Sequence, residues 1–391
     1  MARLRSACQS PQIMLLAMAF IMPLTFSLWT ALLNNFAVEQ VGFTGREIGI
    51  LHSLREIPGF LAFTAIFVLL LLREQVFALL SLLLMSLAIT ATGYFPSVVG
   101  LYATTIIMSM GFHYFETVNQ SLTLQFLPHG ETAHFMGRAL AVKSVASLLA
   151  YGSIWLLMGQ LNISYSAMYV IAGSLGLVLT VLIWVVFPQF EQHTVQHKKI
   201  ILRKRYGLYY ALKFMSGARR QIFMVFAAFM MVEKFGYSVQ QISSLFLLNY
   251  LFNLAFAPRI GRWIGAVGER SALLLEYTGL IVVFSCYAFV ETAWIAAALY
   301  VIDHLFFSLA IAIDTYFQKI ADPADIASNA SVSFTINHVA AVVIPALLGF
   351  VWLESPSAVF LTGVVFAVIS LGLAFVVPRQ PTPGREMQRI L

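Results

Sequence analysis

Long apolar segments follow one another along nearly the whole chain, and this succession limits the folds that the sequence can adopt. A helix that crosses the hydrocarbon core of a bilayer needs about 20 predominantly apolar residues. Twelve such segments occupy residues 12–36, 45–72, 75–95, 97–126, 136–160, 164–187, 206–234, 238–258, 271–290, 293–320, 328–353 and 357–378. The sequence therefore predicts an all-α membrane protein with twelve transmembrane helices.

The scarcity of charge supports the same interpretation. Charged residues make up 10% of the 391 residues, against about 25% in an ordinary soluble domain. Because so few charges could not cover a soluble protein of this size, most of the surface is expected to face lipid. The two cysteines form no disulfide framework or metal motif, and the sequence holds no nucleotide-binding loop, catalytic triad or zinc signature. We therefore expect no enzyme activity, no cofactor and no bound metal.

The distribution of basic residues predicts the orientation in the membrane. Residues 188–205 form the one long polar interruption, so we expect a six-helix bundle at 1–187, a basic linker at 188–205 and a second six-helix bundle at 206–391. The side with both termini and the linker holds Arg3, Arg5, Arg73, Arg138, Lys198, Lys199, Arg203, Lys204, Arg205, Arg259, Arg262, Arg270, Lys319, Arg379, Arg385 and Arg389. The other side holds only Arg46 and Lys234. Since basic loops stay cytoplasmic, both termini are predicted to be cytoplasmic, in a bacterial inner membrane, and the net charge of +6 needs no nucleic-acid partner.

The two halves of the chain repeat each other. A shift of 194 residues places Glu39, Gly42, Ile48 and Leu51 on Glu233, Gly236, Ile242 and Leu245. A shift of 198 residues places Glu116 and Gln120 on Asp314 and Gln318. A duplicated six-helix unit is a recurring plan of transporters, with the substrate site at the interface between the repeats. The repeat therefore predicts two pseudo-symmetric six-helix bundles.

With these features, the chain resembles the major facilitator superfamily over its full length. The six-plus-six pattern, the basic central loop and a Gly-rich basic loop signature from Pro258 to Arg270 carry the resemblance. Gly261 and Gly268 fit that signature, whereas Gly265 stands where the family usually has Asp. The resemblance implies a secondary transporter that works by alternating access, with a monomer as the default state.

Arg219 and Arg220 are the most informative charges within the predicted helices. The stretch 221–234 has only fourteen residues, too few to cross a bilayer at about 1.5 Å per residue, so both arginines are expected within the membrane. The resemblance implies that this helix lines the central cavity, where an arginine would bind the carboxylate or phosphate of a solute. Only one of two adjacent residues is expected to face the cavity. Alternatively, the arginines extend to the cytoplasmic face and support the gate.

Two further polar positions lie in equivalent helices of the two halves. Arg55 and Glu56 lie about ten residues into the second segment. Adjacent positions of a helix point about 100° apart, so these two are not expected to neutralise each other. Their repeat counterpart includes Asn249. A structural salt bridge between the halves and a role in transport both remain open.

Three acids are candidates for carrying protons. Glu116 and Asp314 occupy equivalent places in the fourth and tenth segments, where they serve either as proton carriers or as interhelical locks. Asp303 and His304 lie near the middle of the tenth segment, and an acid beside an imidazole can accept and pass a proton near neutral pH.

These observations predict a secondary transporter of a small organic anion, coupled to protons. The predicted substrate contacts are Arg219, Arg220, Asn249, His304 and Arg55, and the predicted coupling or gating groups are Glu116, Asp303, Asp314 and Glu56. One alternative is a proton-coupled exporter of drug-like or amphiphilic compounds. Another is a non-transporting sensor or assembly partner, against which the insertion cost of the deep charges argues.

Overall fold

The computed structural model describes residues 10–69, 71–126, 132–190, 202–322 and 326–388. Within these ranges the chain forms helices that match the twelve predicted segments, and one isolated β-bridge joins Thr382 and Arg385. The first six are α1 (Pro11–Phe36, extended by a π-helical turn at Ala37–Val41), α2 (Gly45–Phe60, a 3-10 turn at Leu61–Thr64 and Ala65–Leu69), α3 (Glu74–Thr92), α4 (Val98–Phe126), α5 (Thr132–Gly159) and α6 (Tyr165–Val186).

The other six helices follow from residue 207. They are α7 (Gly207–Gln221, a π-helical turn at Ile222–Ala227 and Ala228–Glu233), α8 (Val239–Val267), α9 (Glu269–Phe289), α10 (Ala293–Phe307, a 3-10 turn at Ser308–Ala310 and Ile311–Ile320), α11 (Ile326–Glu354) and α12 (Pro356–Val376). The predicted linker falls largely at residues 191–201, which lie outside the described residues, so the division into halves at 188–205 stays a prediction.

Local sequence explains where several helices begin and end. The side chains of Ser10, Ser164 and Ser355 accept hydrogen bonds from backbone N–H groups in the first turns of α1, α6 and α12, which satisfies donors that a helix start leaves unpaired. Gly42 and Gly236 follow α1 and α7 with φ angles of 73° and 64°, a backbone region that glycine adopts without strain. The glycines that the repeat aligns therefore share one backbone role.

Nine helical segments of the described chain are long and apolar enough to cross a membrane. Helices α2, α7 and α8 fall outside this group, and α2 and α7 carry the charges predicted to lie deep. Helix α8 also differs from the prediction in length, because it continues from the expected end at residue 258 to Val267. The loop signature is therefore mostly helical, and the turn begins at Gly268, whose φ angle is 84°. A polar, basic helix end lacks the apolar residues that mark a span but keeps its backbone hydrogen bonds.

The first compact unit comprises Met1–Gly42, Leu54–Gln196 and Ser238–Phe246. In it α1 packs against α5 and α6, and α3 packs against α4 and α6. Small residues permit the closest approaches, as where Gly173 of α6 lies against Thr90 of α3. The first turns of α8 belong to this unit, and Phe246 contacts the ring of Tyr151 in α5 at 5.7 Å between ring centres.

The second compact unit comprises Phe43–Ser53, His197–Tyr237 and Leu247–Leu391. Helix α9 packs against α10 and α12, and α7 packs against α11 and α12. The first turns of α2 belong to this unit: Gly45 lies against Trp352, Gly49 lies against the Pro345 carbonyl, and the Ser53 hydroxyl accepts a 2.9 Å hydrogen bond from the Ala346 N–H. Pro345 lies inside α11, and the neighbouring N–H group is thus satisfied by another helix.

Candidate functional site

Arg219 is buried in the middle of the second unit. It lies twelve residues after the start of α7, which corresponds to about 18 Å along the helix. The residue is 1% exposed. Its Nη2 donates a hydrogen bond of 3.2 Å to Oε1 of Glu276 in α9, and its guanidinium carbon lies 4.2 Å from the centre of the Tyr277 ring. This contact joins α7 to α9 through a fully buried ion pair.

Glu276 is a residue that the sequence analysis missed. It lies in a segment that was predicted only from its apolar length, and it occupies the second turn of α9. A lone acid near the start of a span resembles a flanking charge, so its depth gave no signal by itself. The cost of placing an acid in an apolar span was the available clue. The structure supplies the explanation, because the carboxylate faces a buried arginine.

Asp303 of α10 interacts electrostatically with Arg219 and Glu276, which gives a cluster of three ionisable side chains from three helices. Its side chain is completely buried, and neither carboxylate oxygen has a hydrogen-bond partner among the described residues. The charge of Arg219 attracts the Asp303 carboxylate and the charge of Glu276 repels it. The cluster thus contains two acids and one base, away from solvent.

The backbone is irregular beside this cluster. The π-helical turn of α7 begins at Ile222, three residues after Arg219, and the 3-10 turn of α10 begins at Ser308, five residues after Asp303. π-Helical turns inside α-helices occur frequently at functional sites. Gly217 of α7 closely approaches α11: a Cβ atom there would lie 3.0 Å from the Asn337 side-chain oxygen.

Arg220 lies in an environment opposite to that of its neighbour. It is exposed, and its guanidinium carbon lies 5.9 Å from the centre of the Phe307 ring in α10. Its charge acts on the half-buried imidazole of His304. Of the two adjacent arginines, Arg220 is thus exposed and Arg219 is buried against Glu276. The role of either arginine in binding a solute stays a prediction.

The expectation that Arg55 and Glu56 do not neutralise each other is wrong. The Arg55 Nη2 lies 2.6 Å from Glu56 Oε1, so the two adjacent residues do pair. The long, flexible side chain of arginine is able to reach its neighbour despite the divergence of adjacent positions. The Ser109 hydroxyl of α4 donates to the Arg55 carbonyl oxygen. Asn249 of α8 is buried, and its side-chain oxygen has no hydrogen-bond partner in the described ranges.

Glu116 and Asp314 each form an ion pair between helices of one unit. The Lys143 ammonium of α5 lies 3.0 Å from Glu116 of α4, and the Lys213 ammonium of α7 lies 2.5 Å from Asp314 of α10. The repeat thus aligns the two acids, but their partners come from helices that the repeat does not align. These contacts have the geometry of the interhelical locks that were one of the two predicted roles.

The aligned acids Glu39 and Glu233 both bind aromatic donors. The Tyr165 hydroxyl of α6 donates to Glu39 at 2.8 Å, and the Trp352 indole of α11 donates to Glu233 at 2.8 Å. The repeat had aligned these acids but had not indicated partners for them. Side-chain packing between helices distant in sequence decides such partners.

The described chain thus has the long apolar helices of a multi-pass membrane protein, with ionisable side chains held in its interior. The model of the Major Facilitator Superfamily matches residues 209–389, so the second half of the chain carries the sequence features of that superfamily. The prediction of the family and of its all-α membrane fold is thus confirmed.

Solved transporters share the fold across nearly the whole chain. A mutant of the nucleoside transporter NupG superimposes with a TM-score of 0.78 at 14% identity, over 94% of this chain and 99% of the other. A bacterial homologue of the human lysosomal transporter Spinster, in an inward-facing and occupied conformation, gives 0.71 at 15% identity, over 96% and 98%. A POT family transporter in complex with 5-aminolevulinic acid gives 0.71 at 13% identity, over 94% and 95%. Among curated proteins, no sequence matches this chain significantly.

Proposed function

We propose that the chain moves a small organic anion across a bacterial inner membrane by alternating access, driven by protons. Arg220, with His304 beside it, contacts the anionic group, and Asp303 carries the proton. The observation that carries the proposal is the contrast between Arg219 and Arg220: one guanidinium is buried against Glu276, and the next along the helix is exposed at similar depth.

The exposure of Arg220 supports the anion class. An arginine within a membrane-spanning helix is costly and usually faces a cavity or a partner. Its planar donor groups match carboxylate and phosphate oxygens. The ring of Phe307, 5.9 Å from the Arg220 guanidinium carbon, is an apolar neighbour that suits the carbon skeleton of an organic solute. Arg55 is less suited to the role, because Glu56 already offsets its charge.

The pairing of the other acids supports Asp303 as the proton carrier. Glu56 pairs with Arg55, Glu116 with Lys143, and Asp314 with Lys213. Their charges are therefore offset by a base on the same or a neighbouring helix. Neither carboxylate oxygen of Asp303 has a hydrogen-bond partner in the described chain. An unpaired carboxylate is costly to bury in its charged form.

The structurally similar transporters do not by themselves select the solute. One is a nucleoside transporter and another was solved with 5-aminolevulinic acid, so the same fold serves different chemistry. Both solute types belong in the test alongside simple carboxylates and phosphates.

The first experiment measures thermal stabilisation of the purified protein by a panel of carboxylates, phosphates, 5-aminolevulinic acid, nucleosides and cationic amphiphiles. A ligand that binds the folded state raises the unfolding temperature by mass action. We expect anions to stabilise the parent and to lose most of the effect in Arg220→Gln. Arg379→Gln is the matched control, because Arg379 is exposed beyond α12 and its loss should leave the response unchanged.

Two results would contradict the proposed anion site. If Arg220→Gln responds as the parent does, the arginine does not contact the solute. If only cationic amphiphiles stabilise the protein, with equal effect in both variants, the exporter of amphiphilic compounds replaces the anion transporter.

We further propose that the protein is a monomer. Residues 188–205 link its two halves, and both termini are cytoplasmic. The excess of basic residues on one side supports the orientation, and the two basic residues of the other side are both ion-paired, Arg46 with Glu47 and Lys234 with Glu291. Labelling of single cysteines at exposed Tyr94 and Arg379 with a membrane-impermeant reagent in intact cells tests it. Only Tyr94→Cys should react, and the reverse pattern would invert the topology.

A further inference from the structure

The Arg219 guanidinium is not saturated by its partner in α9. An arginine presents five N–H donors and frequently pairs with a carboxylate through two parallel hydrogen bonds of about 2.7–2.9 Å. Here a single bond of 3.2 Å joins Nη2 to Glu276, while Nε and Nη1 have no hydrogen bond within the described chain. The second oxygen of Glu276 is likewise without a partner there. This pair is therefore looser than its burial would lead one to expect.

A second acceptor lies within electrostatic reach of the same guanidinium. The Asp303 carboxylate interacts electrostatically with Arg219 of α7, with Glu276 of α9 and with the Tyr287 hydroxyl of α9. Arg219 is the cation among them. The guanidinium thus interacts with acids of two different helices, by a hydrogen bond with Glu276 and at longer range with Asp303.

The charges of the cluster balance only when it holds one proton. Two ionised carboxylates and one guanidinium leave a net charge of −1 in a site without exposure, and an uncompensated buried charge is strongly destabilising. A proton on either acid makes the cluster neutral. The acid that keeps its negative charge is then the one that Arg219 pairs with.

We infer that Arg219 is shared between Glu276 and Asp303, so that one bound proton decides which of the two acids it holds. This inference deepens the proposed function and rests on its assignment of Asp303 as the proton carrier. With the proton on Asp303, Arg219 ties α7 to α9, as observed. When that proton leaves Asp303 and Glu276 takes one up, Arg219 ties α7 to α10 instead.

The irregular turns beside the cluster give this exchange a mechanical consequence. The π-helical turn Ile222–Ala227 follows Arg219, and the 3-10 turn Ser308–Ala310 follows Asp303. Each turn interrupts the regular hydrogen bonding of its helix, so the segments on either side can shift more easily than an unbroken helix. Arg220 and His304 lie next to the two exchanging residues, so the same shift changes the proposed solute contact. Glu276 and Arg219 are positioning residues in this scheme.

Infrared spectroscopy of the purified protein tests the shared proton without a solute. The parent is expected to show the stretching band of one buried protonated carboxyl group near neutral pH. Asp303→Asn leaves Arg219 with Glu276, and Glu276→Gln leaves it with Asp303, so each variant has one acid and one base. The band should therefore disappear in both. Glu116→Gln, which removes an acid paired with Lys143 in the first unit, should keep it.

Thermal unfolding supplies an independent readout that separates sharing from simple packing. Each single variant retains a counter-ion for Arg219, so its unfolding temperature should change little. The double variant Asp303→Asn/Glu276→Gln leaves the guanidinium buried and unpaired, and its loss should be several times the sum of the single losses. Adding Arg219→Gln to the double variant should recover most of that loss.

The outcomes distinguish this inference from the proposed function. If the band persists in Glu276→Gln, or if Glu276→Gln alone unfolds as early as the double variant, Arg219 does not reach Asp303 and the inference is overturned, while proton coupling through Asp303 alone still stands. If instead the band vanishes in both variants, as expected, while no anion stabilises the protein, the shared cluster stands and the proposed solute class is wrong.

Discussion

Arg219 and Arg220 are neighbours in the sequence but occupy opposite environments. Successive positions of a helix point about 100° apart, and α7 turns one guanidinium to Glu276 and the other outward. Segment length predicted that both lie well inside a helix, and α7 begins at Gly207, twelve residues before Arg219. The direction in which each arginine side chain points was not predictable, because it depends on which helix α7 packs against. The same limit explains why Glu276 was missed and why Arg55 was not expected to reach Glu56.

Trp352 offers a test of a single side chain with two separable roles. Its indole donates to Glu233, and its ring stacks on Phe226 with centroids 5.4 Å apart. Trp352→Phe keeps an aromatic ring but removes this donor to Glu233, which is exposed and can bind water instead, so the loss should be about 0.5–1.5 kcal/mol. Trp352→Ala also removes the buried ring and should cost about 3–5 kcal/mol. Denaturant unfolding in mixed micelles measures both.

A matched tryptophan provides the control for this prediction. Trp155 of α5 is exposed, so Trp155→Phe should leave the free energy of unfolding unchanged within about 0.5 kcal/mol. Equal losses for Trp352→Phe and Trp155→Phe would show that the hydrogen bond to Glu233 contributes nothing to stability.

At the scale of the element, the existence of the helices was predictable and their interruptions were not. Apolar length marks a span directly, and the twelve predicted segments each match a helix. The π-helical turns Ala37–Val41 and Ile222–Ala227 contain neither glycine nor proline, so no local signal announces them. The extension of α8 to Val267 had the opposite cause, since a polar helix end is not read as part of a span.

The contact between the first turns of α2 and α11 depends on glycine at position 49. A Cβ atom on Gly49 would lie 2.3 Å from the Pro345 carbonyl oxygen and 3.0 Å from the Gly349 Cα. Both obstacles are backbone atoms, which do not turn aside as a side chain does. Gly49→Val should therefore destabilise the protein by about 1–3 kcal/mol or more through overpacking, measured by unfolding in mixed micelles.

Gly152 is the matched control for this helix contact. It lies inside α5, and a Cβ atom there meets nothing within 4 Å. Gly152→Ala should be neutral or stabilising by up to about 1 kcal/mol, because alanine loses less conformational freedom in a helix. A comparable loss in both variants would mean that the α2–α11 contact tolerates a larger residue.

For the whole molecule, the distribution of paired and unpaired charges matters more than their number. Several acids pair with a base of their own unit, as with Glu116 and Lys143 in the first and Asp314 and Lys213 in the second. Asp303 departs from this pattern within the described residues. The sequence predicted both the transporter class and Asp303 as a candidate, but it did not separate this acid from those that ion pairs occupy.

The difference between Asp303 and the ion-paired acids can be tested by measuring transport against a concentration gradient. The assay uses proteoliposomes and an anion that the stabilisation panel has identified as the solute. If this anion moves together with one proton, it accumulates about tenfold per unit of pH gradient. Asp303→Asn removes the proton carrier but keeps the shape of the side chain, so it should retain exchange of solute for solute and lose the pH-driven accumulation. Asp314→Asn, on the same helix but partly exposed and paired with Lys213, should still accumulate solute, since its carboxylate is not required to carry the proton. Accumulation that survives in Asp303→Asn and fails in Asp314→Asn would assign the coupling to the interhelical pair instead.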